Sequence, residues 1–336
     1  MNLKDISFII PVYNRPHEID ELLNSFLKLN GSKDFEIVIV EDGSKIKCQN
    51  ILKKYKKLNI SYHYKENSGP GDSRNFGMKK ARGSYFVILD SDCLLPKDYI
   101  KKLINNLTSN YSDCFGGIDD SHKSFNYFQK AISFSMTSFI TTGHIRGGSR
   151  SNNFQPRSFN MGISKNAFKI SNGFGKIHPG EDPDLSIRLK KLNFKVLLYP
   201  DVKVYHKRRT SLIAFFNQVY KFGIARSILN FWHSETRKFY YWFPSIFSLI
   251  FIISLIFIIT GFNNILFLIV ALYLFSIFFI SSVKNNIIVG FLSIFTTIVQ
   301  FFGYGYGFLL SSILIRLNFH KKMEEIFPKM FFHVKS

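Results

Sequence analysis

Short apolar runs, rich in β-branched and aromatic residues, alternate with amphipathic stretches through the first third of the chain. Strands are predicted over residues 7–12, 35–40, 60–64 and 85–89. Helices are predicted between and after them, over residues 16–29, 49–58, 71–81 and 97–107. Regular alternation of this kind places the chain in the α/β class, with a doubly wound, mostly parallel sheet. Residues 114–158 break the rhythm. They are rich in Ser, Gly, Phe and Arg, with Gly143-His144-Ile145-Arg146-Gly147-Gly148-Ser149-Arg150 at their centre, and are expected to form a substrate-facing insertion or mobile loop. A further helix is expected over residues 185–191.

The pattern then changes character. No charged residue occurs from Phe239 to Val283, and from Lys284 to Ile315 the sole charge is Lys284. Residues 244–260 and 265–283 are each long enough to cross a hydrocarbon core of roughly 30 Å at about 1.5 Å per residue, and residues 287–315 are longer still. An α-helical membrane region of two or three spans is expected. The domains expected are residues 1–230 as a soluble domain, 231–243 as an interfacial linker, 244–315 as the membrane region and 316–336 as a basic tail.

Charge orients this arrangement. The net charge of +21 divides as roughly +17 before Pro244, +1 at Lys284 and +3 from Arg316 onward. A basic domain beside membrane spans fits an anionic cytoplasmic leaflet or phosphate-bearing substrates, and these rank ahead of nucleic acid, which is not expected as a partner. The residues before the first strand include no apolar stretch of signal-peptide length. Cys48, Cys93 and Cys114 lack paired spacing, which fits a reducing cytosol. The expected localisation is therefore a multi-pass membrane protein with its basic domain on the cytoplasmic side. A basic tail on that same side favours an even number of crossings. Gly303-Tyr304-Gly305-Tyr306-Gly307 is a candidate break in the third apolar segment.

Candidate chemistry collects at the ends of the predicted strands, where open α/β sheets bind ligands. Asp90-Ser91-Asp92 ends the run Tyr85-Phe86-Val87-Ile88-Leu89. Two carboxylates there are costly to bury without a cation or strong donors, and hard oxygen ligands suit Mg²⁺ or Mn²⁺. The same pair also satisfies a simpler role, ending the strand and capping the next segment. Pro11-Val12-Tyr13-Asn14-Arg15, Glu41-Asp42-Gly43-Ser44 and residues 200–209 form the other loops of this edge. Asp42 is placed to accept hydrogen bonds from a base or ribose. No G-x-G-x-x-G accompanies the first strand, which argues against a dinucleotide-binding dehydrogenase.

These segments together resemble the family 2 glycosyltransferases of the GT-A fold, from Ser7 to about Arg226. The residues carrying the resemblance are Ile10-Pro11-Val12-Tyr13-Asn14, Glu41-Asp42-Gly43-Ser44, Asn67-Ser68-Gly69-Pro70 with Ser73-Arg74-Asn75 and Gly77, Ala81-Arg82-Gly83, Leu89-Asp90-Ser91-Asp92, and Gly180-Glu181-Asp182-Pro183-Asp184-Leu185. The resemblance implies that Pro11, Tyr13, Asp42, Arg74 and Ser91 border a nucleotide-sugar donor. It implies that Asp90 and Asp92, with His206, hold a divalent metal, Mn²⁺ or Mg²⁺, on its diphosphate. Asp182 is implied as the base that deprotonates the acceptor hydroxyl, with Glu181 the second candidate, and the acidic cluster would equally favour the helix dipole. Asn160, in Phe159-Asn160-Met161-Gly162-Ile163, is implied at the donor sugar and acceptor.

Gln218 is followed by Val219-Tyr220-Lys221-Phe222, where processive polysaccharide synthases carry Q-x-x-R-W, so single-sugar transfer is favoured. Lys207, Arg208, Arg209, Lys221 and Arg226 are candidates to meet a diphosphate or lipid phosphate, Arg226 being retained as substrate-binding. The expectation is an inverting, metal-dependent enzyme moving a sugar from a nucleotide-sugar donor, UDP-linked by first expectation, to a lipid-linked or growing glycan acceptor in cell-surface polysaccharide synthesis. A nucleotidyltransferase, which would release pyrophosphate, and a catalytically silent membrane scaffold are the alternatives.

Overall fold

The computed structural model describes residues 1–120, 125–143, 154–207, 209–262 and 264–332. In chain order the first elements are β1 (Ile6–Val12), α1 (Pro16–Leu27), β2 (Glu36–Asp42), α2 (Gln49–Leu52), β3 (Asn59–Lys65), α3 (Pro70–Lys80), β4 (Tyr85–Leu89), β5 (Cys93–Leu94) and α4 (Tyr99–Ser109). Next come β6 (Cys114–Asp120), α5 (Tyr127–Thr137), α6 (Phe139–Thr142), β7 (Asn160–Ser164), α7 (Lys165–Ser171), α8 (Glu181–Lys191), β8 (Val196–His206) and α9 (Leu212–Trp232). The chain ends through α10 (Phe243–Ile259), α11 (Ile265–Lys284), α12 (Ile287–Leu317) and α13 (Met323–Ile326). Two compact units result: Met1–His122 with Ser149–Lys207 and Phe331–Ser336, and Lys123–Gly148 with Arg208–Met330.

The first unit is an eight-stranded sheet in the order β3-β2-β1-β4-β7-β6-β8-β5. The strands β3, β2, β1 and β4 run parallel, as alternating strands and helices require. Beyond them the sheet becomes mixed, because β7 runs antiparallel to both β4 and β6. β2 and β4 are buried along their whole length, which is why they read as continuous apolar runs rather than alternating ones. One face packs Ile10, Val12, Ile37 and Ile39 under Leu22, Leu23 and Phe26 of α1. The other packs Ile9, Val38 and Ile88 under Met78 of α3 and Leu185 and Leu189 of α8.

The described parts of residues 114–158 are more ordered than their composition implies. Cys114–Asp120 is a strand inside the sheet, and Tyr127–Thr137 is a helix begun by a capping box between Asn126 and Gln129. Gly116 and Gly117 obscure that strand, since glycine is a poor strand former. Packing requires them: a Cβ on Gly116 would meet the Phe154 ring at 2.6 Å, and one on Gly117 would collide with the Asn160 amide. The centre of the expected loop, residues 144–150, lies outside the described residues. Residues 200–206, expected as a loop, belong to β8, which pairs parallel with β6 and shifts register between Gly117 and Ile118. The shift falls opposite the segment holding Pro200, a residue with no N–H to give a ladder.

The second unit is helical. Ser135 of α5 reaches the hydroxyls of Thr296 at 2.6 Å and Thr297 at 3.0 Å on α12. Ser227 of α9 bonds the Phe308 carbonyl at 3.0 Å. Gly223 lets α9 lie against the backbone of α12, where a Cβ would meet Phe308 N at 2.7 Å. Among the described residues, three segments are long and apolar enough to cross a membrane: Phe239–Ile259, Ile265–Lys284 and Ile287–Leu317.

Candidate active site

Four strand ends and one helix start assemble the site in the first unit. β1 runs into Pro11, which pairs with Val40, and then into Tyr13, which is half exposed. Asn14 comes next, with φ 55°. Its amide donates to Ser44 Oγ at 2.7 Å, and its Oδ1 accepts the amides of Lys45 and Ile46. That exchange ties the first loop to the loop after β2.

Asp42 closes β2. Its Oδ1 accepts from Lys65 Nζ at 2.7 Å and from the Ser68 amide at 3.0 Å, while its Oδ2 accepts the Gly69 amide at 3.0 Å. Asp42 therefore orders the loop 67–69 that starts α3. Gly69 has φ +93°, and a Cβ there would strike the ring of Phe332 from the C-terminal segment. Phe331 forms an antiparallel bridge with Ile177, and the Phe332 amide donates to the Lys176 carbonyl at 3.2 Å.

Arg74 is the hub. This buried guanidinium donates through Nη2 to Asp90 Oδ1 and through Nη1 to Glu181 Oε1, each at 2.8 Å. It thereby joins the end of β4 to the first turn of α8. Glu181 also takes the Gly180 amide at 3.0 Å and faces His178 Nδ1 at 3.0 Å. Burial alone would raise the Glu181 carboxyl, but His178, Arg74 and the backbone donor outweigh it and hold Glu181 far below the usual carboxylate range. Burial would lower His178, yet the facing Glu181 carboxylate raises it above its ordinary 6.5.

Asp182, the next residue, is less buried than Glu181. Its Oδ2 accepts the Ser158 amide at 3.4 Å, with Arg157 Nη1 at 3.7 Å. Ser91 is buried and donates to Glu18 at 3.3 Å.

The antiparallel pairing of β5 with β8 sets Cys93 opposite His206. That register brings His206 Nε2 to 3.0 Å from Asp92 Oδ1, while Arg15 Nη1 lies 3.3 Å from Asp92 Oδ2. The His206 ring stacks on Phe159, centroids 4.9 Å apart. Ligand atoms of Asp92, Cys93 and His206 lie within 4.8 Å of one another. A carboxylate suits Mg²⁺ or Mn²⁺, and a neutral imidazole is an acceptable ligand for Mn²⁺. Burial, with Asp92 and Asp90 nearby, pushes the Cys93 thiol far up, so it stays protonated and is a poor ligand for a hard ion. The donor set that fits a divalent cation is therefore Asp92 and His206, with Asp90 turned toward Arg74.

Two expected site residues have other surroundings. Asn160 is fully buried: its Oδ1 accepts from the Tyr99 hydroxyl at 2.7 Å and its Nδ2 donates to the Val202 carbonyl at 2.9 Å. Its side chain joins β7 to α4 and β8. Arg226 belongs to the second unit, on α9, with its guanidinium 4.4 Å from the centre of the Tyr241 ring. Lys207 contacts Glu21, and Arg208 lies outside the described residues. Sequence reasoning assigned no role to Arg15, Lys65, His178 or Phe332. A signal existed for His178, three residues before Glu181, and for Arg15, at the end of the first loop. None existed for Phe332.

Residues 7–169 match the model of the family described as Glycosyl transferase family 2. An uncharacterized glycosyltransferase of Rickettsia conorii is 43% identical over 102 residues, 30% of this chain and 17% of that protein. The poly(ribitol-phosphate) beta-N-acetylglucosaminyltransferase TarS of Staphylococcus aureus is 37% identical over 111 residues, 32% of this chain and 19% of that protein. The chain thus spans less than a fifth of the length of either relative. Among solved structures, the mannosyltransferase PcManGT from Pyrobaculum calidifontis, in complex with GDP-Man and Mn²⁺, is similar in fold, with a TM-score of 0.54 and 14% identity. That likeness covers 94% of this chain and 88% of that one, and so extends through the C-terminal helices.

Proposed function

We propose that this protein, in which residues 7–169 match the family 2 glycosyl transferase model, moves one sugar from a nucleotide-sugar donor to an acceptor hydroxyl at a membrane surface. The observation that carries the reading is Arg74, whose two bonds hold Asp90 and Glu181, and hence their neighbours Asp92 and Asp182, around one strand edge.

Glu181 is buried, bonded to three partners and held far below the usual carboxylate range, so it is a weak and inaccessible proton acceptor. Asp182 is the more accessible carboxylate, and it takes the role of base toward the acceptor hydroxyl. The oxygen so activated attacks the anomeric carbon opposite the leaving nucleoside diphosphate, which inverts configuration. Asp92 and His206 would hold a divalent cation, which would supply positive charge against the diphosphate, while Asp90 stays bonded to Arg74. Pro11, Tyr13 and the Asp42 loop border the nucleotide, and Asp42 acts through the order it imposes on residues 67–69. The basic surface and the apolar helices favour a lipid-linked acceptor on the cytoplasmic side. The mannosyltransferase of similar fold was solved with GDP-Man and Mn²⁺, and the donor's base and sugar are to be read experimentally.

The test is a thermal-shift screen of the full chain in detergent against UDP- and GDP-sugars, with and without Mn²⁺. At a ligand concentration a hundred times Kd, about 2.7 kcal/mol of stabilisation is expected for the correct donor. Absence of any metal-dependent shift across the panel overturns the reading.

A further inference from the structure

The chain leaves the sheet unit at Lys207 and re-enters it at Phe331. Re-entry is a specific contact: Phe331 bridges Ile177 and is mostly buried, the Phe332 amide bonds the Lys176 carbonyl, and the Phe332 ring sits against Gly69. A segment that starts and ends in one soluble unit must cross any bilayer an even number of times. Among the described residues three helices are apolar enough to cross, so they cannot each cross once.

Packing inside the helical unit decides which one stays behind. Only 17% of the apolar window of the first segment, and of the second, is buried within the protein, against 44% for the third. The buried positions of α12 include Ser293, Thr296, Thr297, Gln300 and Ser311, and hydroxyls of this helix meet Ser135 of α5 and Ser227 of α9. A helix whose polar face is claimed by α5 and α9, neither of them among the segments apolar enough to cross, cannot also be surrounded by lipid.

α12 also touches both feet of the α10–α11 hairpin. Ser245, at the start of α10, donates to the Gly305 carbonyl at 3.0 Å, and Ser281, at the end of α11, shares a 2.8 Å hydrogen bond with Ser293. Gly305 and Gly290 permit this closeness, since a Cβ on either would meet backbone of the hairpin at 2.9 or 2.8 Å. The hairpin turn near Thr260 lies a full helix away from those feet, about 25–30 Å at 1.5 Å per residue.

We propose that α10 and α11 form a two-pass hairpin in the lipid bilayer, and that α12 lies along the leaflet on the side of the sheet unit without crossing. The outward residues of α12, among them Phe291, Phe295, Leu309 and Ile313, then rest in the acyl boundary of that leaflet. The arrangement goes beyond the proposed reaction and does not depend on it.

Cysteine accessibility tests it in the full chain, because Cys48, Cys93 and Cys114 are all buried. Single exposed positions are replaced: Lys57→Cys in the sheet unit, Thr260→Cys at the hairpin turn, Asn285→Cys between α11 and α12, and Lys322→Cys after α12. Each variant is treated with a membrane-impermeant maleimide in intact expressing cells and again after permeabilisation. Lys57→Cys, Asn285→Cys and Lys322→Cys are expected to behave alike, and Thr260→Cys in the opposite way. Labelling of Lys322→Cys together with Thr260→Cys would mean that α12 crosses, and labelling of all four together would mean that the hairpin does not. Either result overturns the proposal. A thermal midpoint of each purified variant equal to that of the parent chain separates a failed topology from a failed fold.

Discussion

Arg74 Nη1 lies 2.8 Å from Glu181 Oε1, and each of these side chains is only 4% exposed. Such a pair is weak evidence of net stability, but losing one partner strands the other charge. Arg74→Met is expected to destabilise the sheet unit by about 3–5 kcal/mol, a fall of roughly 10 °C in thermal midpoint for a unit of this size. Adding Glu181→Gln should recover part of that loss. A double variant whose loss equals the sum of the two single losses would show that the two residues are not energetically coupled.

Asp182→Asn should lower kcat by about 10²–10⁴ while leaving donor-induced thermal stabilisation unchanged, as removal of a general base does. Glu181→Gln should instead lower the thermal midpoint, because its bonds to Arg74, His178 and the Gly180 amide hold the turn. Donor hydrolysis without acceptor separates the two further, since it persists in Asp182→Asn if donor and cation still bind.

Metal dependence should trace to the β5–β8 register. Asp92→Ala is expected to abolish the Mn²⁺-dependent part of the donor-induced shift. His206→Ala should weaken Mn²⁺ at least by the roughly 10–100-fold that even outer-shell partners of a metal cost. Titration of the donor complex with Mn²⁺, followed by thermal midpoint, reads both. Equal metal affinity in wild type and His206→Ala would remove the imidazole from the site.

The His178–Glu181 pair has a defined pH window. Glu181 is depressed in the folded chain, so its contribution is present above the ordinary 4.5 and is lost as pH falls through the lower folded value. His178 is raised, so its contribution is complete below the ordinary 6.5 and is lost as pH rises through the higher folded value. The midpoint difference between wild type and His178→Gln should be largest between about pH 5 and 6.5 and should shrink on both sides. A difference that grows steadily toward pH 9 contradicts the assignment.

Gly69 couples the Asp42 loop to the C-terminal segment. Gly69→Ala should destabilise for two reasons, the positive φ and the collision with the Phe332 ring. In a Phe332→Ala background the collision disappears, leaving the backbone term of about 1–3 kcal/mol. Thermal midpoints of the four proteins make a closed cycle, and a strictly additive outcome would place Phe332 away from Gly69 in solution.

The parallel half of the sheet, the strand ends that carry Asp42 and Asp90, and the three apolar helices were legible in consecutive residues. Those arise from local periodicity, because a buried strand or a lipid-facing helix writes its surroundings into consecutive residues. The tertiary structure alone decided three further things. The strand Cys114–Asp120 was hidden by Gly116 and Gly117, which are set by the bulk of Phe154 and Asn160 rather than by strand propensity. Asn160 proved to be tied to Tyr99 and Val202, partners distant in sequence. The different surroundings of Glu181 and Asp182 rest on Arg74, 107 residues upstream of Glu181. Adjacent carboxylates look equivalent in a sequence, but burial and a single guanidinium make one an anchor and leave the other more exposed.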